Sequence, residues 1–165
     1  METYPSLFSY AKIMPMSIKV VATNRKVKHN YFVLETFEAG ISLLGSEIKS
    51  VRAGQISIKE SYVRIDGEEA WLVDAHISPY TQANRYNHEP KRPRKLLLHK
   101  KEIYNLYDDI RRKGVTIIPT KVYLKDGKAK VEIAIARGKR KFDKRQEIAK
   151  RDAQREIERQ MRRHE

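Results

Sequence analysis

Two Asp-Gly dipeptides, Asp66-Gly67 and Asp126-Gly127, each lie between short runs of alternating apolar and polar side chains, and no other feature constrains the fold as strongly. Such a dipeptide tolerates positive φ and closes a tight hairpin. The spacing predicts strands over Tyr62 to Ile65 and Trp71 to Ile77 around the first, and over Thr120 to Leu124 and Lys130 to Ala136 around the second. In the last of these, Val131, Ile133 and Ile135 alternate with Lys130, Glu132 and Ala134, which predicts one buried face and one wet face. Upstream, the chain reads as strand from Ile18 onward. Tyr31 to Phe37 forms one segment and Gly40 to Val51 a second, with Gly45 as a bulge or bend.

One helix interrupts the pattern. Ile103, Leu106, Tyr107 and Ile110 recur at i, i+3, i+4 and i+7, and Gly114 follows as a stop. A weaker helical turn is expected near Ser57 to Ser61. Five or six short strands with one covering helix would leave exposed edges in an open sheet, so the expected fold is mainly β: a closed barrel of the oligonucleotide-binding kind with added helices. It spans residues 18–136. Residues 1–17 have neither period and read as a disordered extension, with Met1, Met14 and Met16 all possible starts. Residues 137–165 form a basic C-terminal tail. Its apolar ladder, Ala149, Ala153, Ile157 and Met161, is too narrow to pin a helix to a core. Pairs such as Glu147 with Arg151 and Glu158 with Arg162 favour helix without overcoming nucleation, so the tail is expected to be largely disordered alone and helical when bound to RNA.

Charge narrows the function. The 165 residues carry 35 Lys and Arg against 21 Asp and Glu, a formal charge of +14, which makes a polyanion the first partner to consider. No run is long and apolar enough to span a bilayer, and the first residues lack the basic start of a secretory signal. With no Cys in the sequence, disulfides, thiolate metal sites and thiol nucleophiles are excluded, and a reducing cytoplasm is the natural compartment. The five His show no ligand spacing, so neither a metal nor another cofactor is expected. No phosphate loop or nucleophile elbow is present. Asp108-Asp109 beside Arg111-Arg112 reads as an ion-paired helix face, and an enzyme has little to stand on.

Nucleic-acid chemistry fares better. Residues 88–101 hold six Lys or Arg and one acid, and Pro90 and Pro93 extend the segment's start. Lys91, Arg92, Arg94 and Lys95 could line a phosphate backbone, or could form a merely solvated loop. The step Leu96-Leu97-Leu98 ties that loop to the core. Asn24-Arg25-Lys26-Val27-Lys28-His29 is a second cluster, either a polar turn feeding a strand or an amide, an imidazole and cations offered to RNA. Tyr31 and Phe32 follow, where strand aromatics more often belong to a core than to a base-stacking platform.

Asn24-Arg25-Lys26, His29-Asn30-Tyr31, Phe37-Glu38-Ala39-Gly40-Ile41, Gly45-Ser46-Glu47-Ile48-Lys49-Ser50 and Val51-Arg52-Ala53-Gly54 closely resemble the opening motifs of the SmpB (small protein B) family. Arg94-Lys95-Leu96-Leu97-Leu98-His99 and the tail run Gly138-Lys139-Arg140-Lys141-Phe142-Asp143-Lys144-Arg145 match later ones, in order over roughly residues 18–165. The resemblance implies a partner of transfer-messenger RNA (tmRNA) in ribosome rescue, or trans-translation, that grips its tRNA-like domain. It implies an RNA-binding face of Asn24, Arg25, Lys26, His29, Glu38, Arg94, Lys95, Leu97 and His99. It further implies a tail that enters the ribosome along small-subunit rRNA, at the decoding centre and the mRNA channel beyond. Phe142 stands where the family is expected to place a His or another stacking ring. Glu38 would accept hydrogen bonds from base edges or sugar hydroxyls, or would orient Arg25 or Lys26. A monomer is expected. The alternatives are another structured-RNA binder, such as a ribosomal protein or assembly factor, and an RNA-processing enzyme using Asp108 or Glu38.

Overall fold

The computed structural model describes residues 17–83 and 85–162. All of the expected N-terminal extension but Ser17 therefore lies outside the described residues, as do the candidate starts Met1, Met14 and Met16.

Both Asp-Gly hairpins form. Strand β4 (Tyr62–Asp66) turns through Gly67 into β5 (Glu69–Val73), and β8 (Thr116–Lys125) turns through Asp126-Gly127 into β9 (Lys128–Gly138). Asp126 and Gly127 both take positive φ, 50° and 77°, which matches the twist of the strands they join. The remaining strands are β1 (Ile18–Thr23), β2 (Tyr31–Ile41), β3 (Ile56–Ser57), β6 (His76–Ile77) and β7 (Arg94–Leu97). β3 pairs only with β6. The other seven share one antiparallel sheet in the order β1-β8-β4-β5-β7-β2-β9, and β9 also pairs with β8, so the pairings return on themselves. The molecule is mainly β, and its core lies on the inner face of this sheet: Ala39, Val63, Leu72, Leu96, Ile117, Val131 and Ile133 are all buried there.

Four helices complete the described chain. Helix α3 (Lys100–Lys113) is the one its apolar spacing predicts. Leu106 is fully buried, and Gly114 ends the helix in the left-handed region. Asp108 and Asp109 pair with Arg112 and Lys113 at 3.7 and 2.8 Å, the solvated ion-paired face expected of them.

Several local expectations are corrected. Gly40 to Val51 is not a second strand: β2 runs unbroken to Ile41, and helix α2 (Gly45–Arg52) follows. Glu47 folds back to accept the Leu44 N–H at 2.8 Å, satisfying a donor that the helix start would otherwise orphan. Asn24 to His29 is neither strand nor plain turn, since helix α1 (Lys26–Asn30) forms there. Its Val27 packs on Ile118 and Ala136, which covers this end of the sheet's outer face, and Ala134, expected on the wet face, is buried. Trp71 to Ile77 is broken at Asp74, whose φ of 59° turns the chain from β5 to β6. Over Ser57 to Ser61 the chain makes a single turn, closed by the Ser61 N–H donating to the Ile58 carbonyl at 3.4 Å.

The tail forms helix α4 (Lys141–Arg162), with no buried residue. The expected freedom of this segment is opposed at its root. Asp143 accepts the Arg140 N–H at 3.0 Å, and the Lys139 ammonium holds both Glu147 and the Lys28 carbonyl. Glu147 also pairs with Arg151 as expected, whereas Glu158 takes Gln154 at 3.3 Å. No described helix is long and apolar enough to cross a membrane.

Candidate nucleic-acid interface

Strand alternation decides which cations reach the surface. Along β7, Arg94 and Leu96 point inward and are buried, while Lys95 and Leu97 point outward. Arg94 is fully enclosed. Its guanidinium donates to Glu47 at 2.9 Å and to the carbonyls of Ala75 and Pro90, so it lies inside the body and not on the outer face with Lys95 and Leu97. Arg92 adds two more hydrogen bonds to the same carboxylate, at 2.8 and 3.2 Å. Burial pushes the Glu47 carboxyl up, but the Arg92 bond, the Leu44 N–H and the Arg94 charge outweigh it and hold the group below its usual range. His88, on the same loop, is also buried. Its Nε2 donates to the Ile77 carbonyl at 3.0 Å, which leaves Nδ1 to accept from the Ser46 hydroxyl at 2.9 Å. The loop before β7 is thus bolted to α2.

Glu38 lies on the outer face of β2, directly opposite Glu132 of β9. It does not orient Arg25 or Lys26. Its partners are the Tyr123 hydroxyl, which donates to it, and Lys125 and Lys130 at 3.2 and 3.9 Å; Lys26 instead pairs with Glu60 at 2.9 Å. The Tyr123 bond and then the two lysines hold the Glu38 carboxyl below its ordinary value. Burial and then Glu38 push the Tyr123 phenol up, so it stays a donor. Two positions along β2, Gly40 faces Leu97 of β7 so closely that an added Cβ would stand 3.0 Å from the Leu97 Cβ. The outer face therefore carries a stripe from Glu38, Tyr123, Lys125 and Lys130 across Gly40 to Leu97, with Lys95 beyond it on β7, paired to Glu69. His99 is exposed just past β7, ahead of α3.

A groove of about 570 Å³ opens at the other end of this face, lined by Arg25 and Lys28 of α1, Phe32 and Thr36 of β2, Lys121, Glu132 and Lys139. Asn24 also lines it. It is buried, its amide donating to the Ile58 carbonyl at 3.1 Å while its Oδ1 has no partner among the described residues. Arg25 and Lys26 are exposed on the surface and His29 is half-buried. In the tail, Gly138 ends β9 and Lys139 is nearly enclosed, with its ammonium 4.9 Å from the centre of the Phe32 ring. Arg140, Lys141 and Arg145 are exposed, Asp143 and Lys144 half-buried, and Phe142 is 67% exposed.

Tyr123, Lys125 and Lys130 were not singled out from the sequence as site residues. The signal was nonetheless present: Lys121, Tyr123 and Lys125 share one parity on β8, and Lys128, Lys130 and Glu132 share one on β9, across a two-residue turn.

An antiparallel body with cations and an acceptor carboxylate on one outer face, carrying a long basic helix, defines a small protein built to meet structured polyanions. The sequence model of the SmpB protein family matches residues 21–163. The SsrA-binding protein of Desulforudis audaxviator is 58% identical over 86% of this chain and 92% of its own. That of Moorella thermoacetica is 56% identical over 90% and 97%. A solved chain described as "tmRNA-SmpB: a journey to the center of the bacterial ribosome" superposes with a TM-score of 0.61 at 41% identity, over 78% of this chain and 87% of that one. The chain belongs to the SmpB family.

Proposed function

We propose that the chain binds the tRNA-like domain of tmRNA and delivers alanyl-tmRNA to stalled ribosomes for trans-translation. One observation carries this reading: the family likeness runs through residues 21–163, covering the strand body and the helical arm together. The relatives' description as SsrA-binding proteins and the tmRNA-SmpB solved chain support the same partners, tmRNA and the ribosome.

In this proposal residues 18–136 are the RNA-binding unit, and the ring of strand pairings is a closed barrel of the oligonucleotide-binding kind. Its contact surface is the stripe of Glu38, Leu97 and Lys95 with His99, together with Arg25, Lys26 and His29. Asn24 and Arg94 support that surface from inside. Residues 137–165 form the ribosome-binding arm, with Arg140, Lys141, Phe142, Lys144 and Arg145 available to small-subunit rRNA at the decoding centre. An exposed ring at Phe142 can stack but cannot donate a hydrogen bond. The chain acts in the cytoplasm as a binder rather than an enzyme, leaving peptidyl transfer to the ribosome and GTP hydrolysis to the elongation factor.

The test is a gel-shift titration against the tRNA-like domain with ordinary tRNA as competitor, at low and moderate salt. Tight binding that resists both salt and competitor is the expected result. Equal, salt-fragile binding to both RNAs would reduce the chain to a generic basic RNA binder.

A further inference from the structure

The groove beside Phe32 holds chemistry that the Glu38 to Leu97 stripe does not. Phe32 lies on a strand yet is 42% exposed, and it is among the residues that line the groove. Thr23 and Thr36 bring hydroxyls to the same space, and Glu132 brings a carboxylate already paired with Lys121 at 2.6 Å. At the rim stand Arg25 and Lys28. Among the described residues neither forms a salt bridge, whereas Lys121 and Lys139 both have carboxylate partners.

A flat ring, hydrogen-bonding groups beside it and two uncommitted cations at the edge are the three things an unpaired nucleotide uses: a stacking surface, partners for its base edge or 2′-hydroxyl, and a counter-charge for its phosphate. A base inside a duplex has both faces covered and cannot use the ring. An apolar peptide side chain could fill the space, but it would leave Arg25 and Lys28 with no counter-charge.

We infer that this groove is a subsite for one unpaired RNA nucleotide, its base stacked on Phe32 and its phosphate held by Arg25 and Lys28. The inference rests on the RNA-binding reading above and adds to it a single-stranded contact separate from the stripe. The Lys139 ammonium already covers part of the Phe32 ring and also holds the first turns of α4 through Glu147. A base entering the groove therefore meets the residue that anchors the arm.

The experiment uses the full chain and three RNAs: a short single-stranded oligouridylate, the same strand in a fully complementary duplex, and the tRNA-like domain. Phe32→Ala is expected to weaken oligouridylate binding roughly tenfold or more, the scale of one lost base-aromatic stack, while leaving affinity for the duplex, whose bases cannot stack on the ring, unchanged. Phe32→Trp is expected to keep the binding and to report it, because a base stacked on the new indole quenches its fluorescence beyond any change at Trp71 in the parent chain. Parent-like oligouridylate binding by Phe32→Ala, or an unquenched indole in Phe32→Trp, would overturn the subsite. If Phe32→Ala fails to fold, the indole signal decides alone. Failure of the parent chain to bind the tRNA-like domain, with Phe32-dependent oligouridylate binding intact, would sink the rescue reading and leave the subsite standing.

Discussion

Truncating Glu47 to Ala would strand the Arg94 guanidinium in a fully enclosed site, with only backbone carbonyls left as partners. Breaking a buried pair from one side costs about 3 to 5 kcal/mol, and chemical denaturation of Glu47→Ala should show a loss on that scale. The Glu47 carboxyl also sets an acid limit. Its folded value is depressed, so its contribution is complete above the unfolded carboxylate range and fades as pH falls through the folded value. Melting temperature should therefore decline on acidification below about pH 4, and less steeply in Glu47→Gln than in the parent. Period-two reading of Arg94-Lys95-Leu96-Leu97 would have put Arg94 with buried Leu96 and Lys95 with exposed Leu97. What no local pattern carries is the partner: Glu47 lies 47 positions away on another element, and nothing near either residue announces the other.

Elements held by local chemistry were legible; those decided by distant packing were not. Both hairpins follow from their turn dipeptides, and α3 from an apolar stripe closed by Gly114. Helix α2 was misread because a short apolar run fits either period, although Leu44, Ile48 and Val51 stand at helical spacing. The stripe was half legible. Lys95 stood out from its basic run and Glu38 and Leu97 only through the family resemblance, while their neighbours Tyr123 and Lys130 needed the β8 to β9 register. Leu106→Ala should cost about 2 to 5 kcal/mol, since α3 covers the core through a side chain with no exposure; thermal melting checks it. For α4, whose residues are all unburied, the hold is at Lys139. Lys139→Ala should reduce the far-ultraviolet helical signal without lowering the melting temperature of the strand body, and an unchanged spectrum would mean the arm needs no anchor.

For the molecule as a whole, the charge of +14 predicts two kinds of binding that salt will separate. Contacts through phosphates alone should weaken by about 10³ to 10⁵ between 50 and 200 mM salt if six to ten cations engage, whereas a complex also held by stacking and base contacts loses less. Filter binding over that range, with an unstructured homopolymer and the tRNA-like domain as ligands, measures the difference in slope. The closing ladder has a further consequence, for biosynthesis. β2 and β9 are partners roughly a hundred positions apart in sequence, and such non-local closure slows folding. A nascent chain leaves the ribosome N-terminus first. β2 must therefore wait, edge bare, until β9 has cleared the exit tunnel, and its exposed Phe32, Val33 and Leu34 wait with it. Any product cut short before β9 lacks the strand that joins β2 to β8, so messages broken upstream of that point yield no partially competent protein, only chains for the cell to degrade.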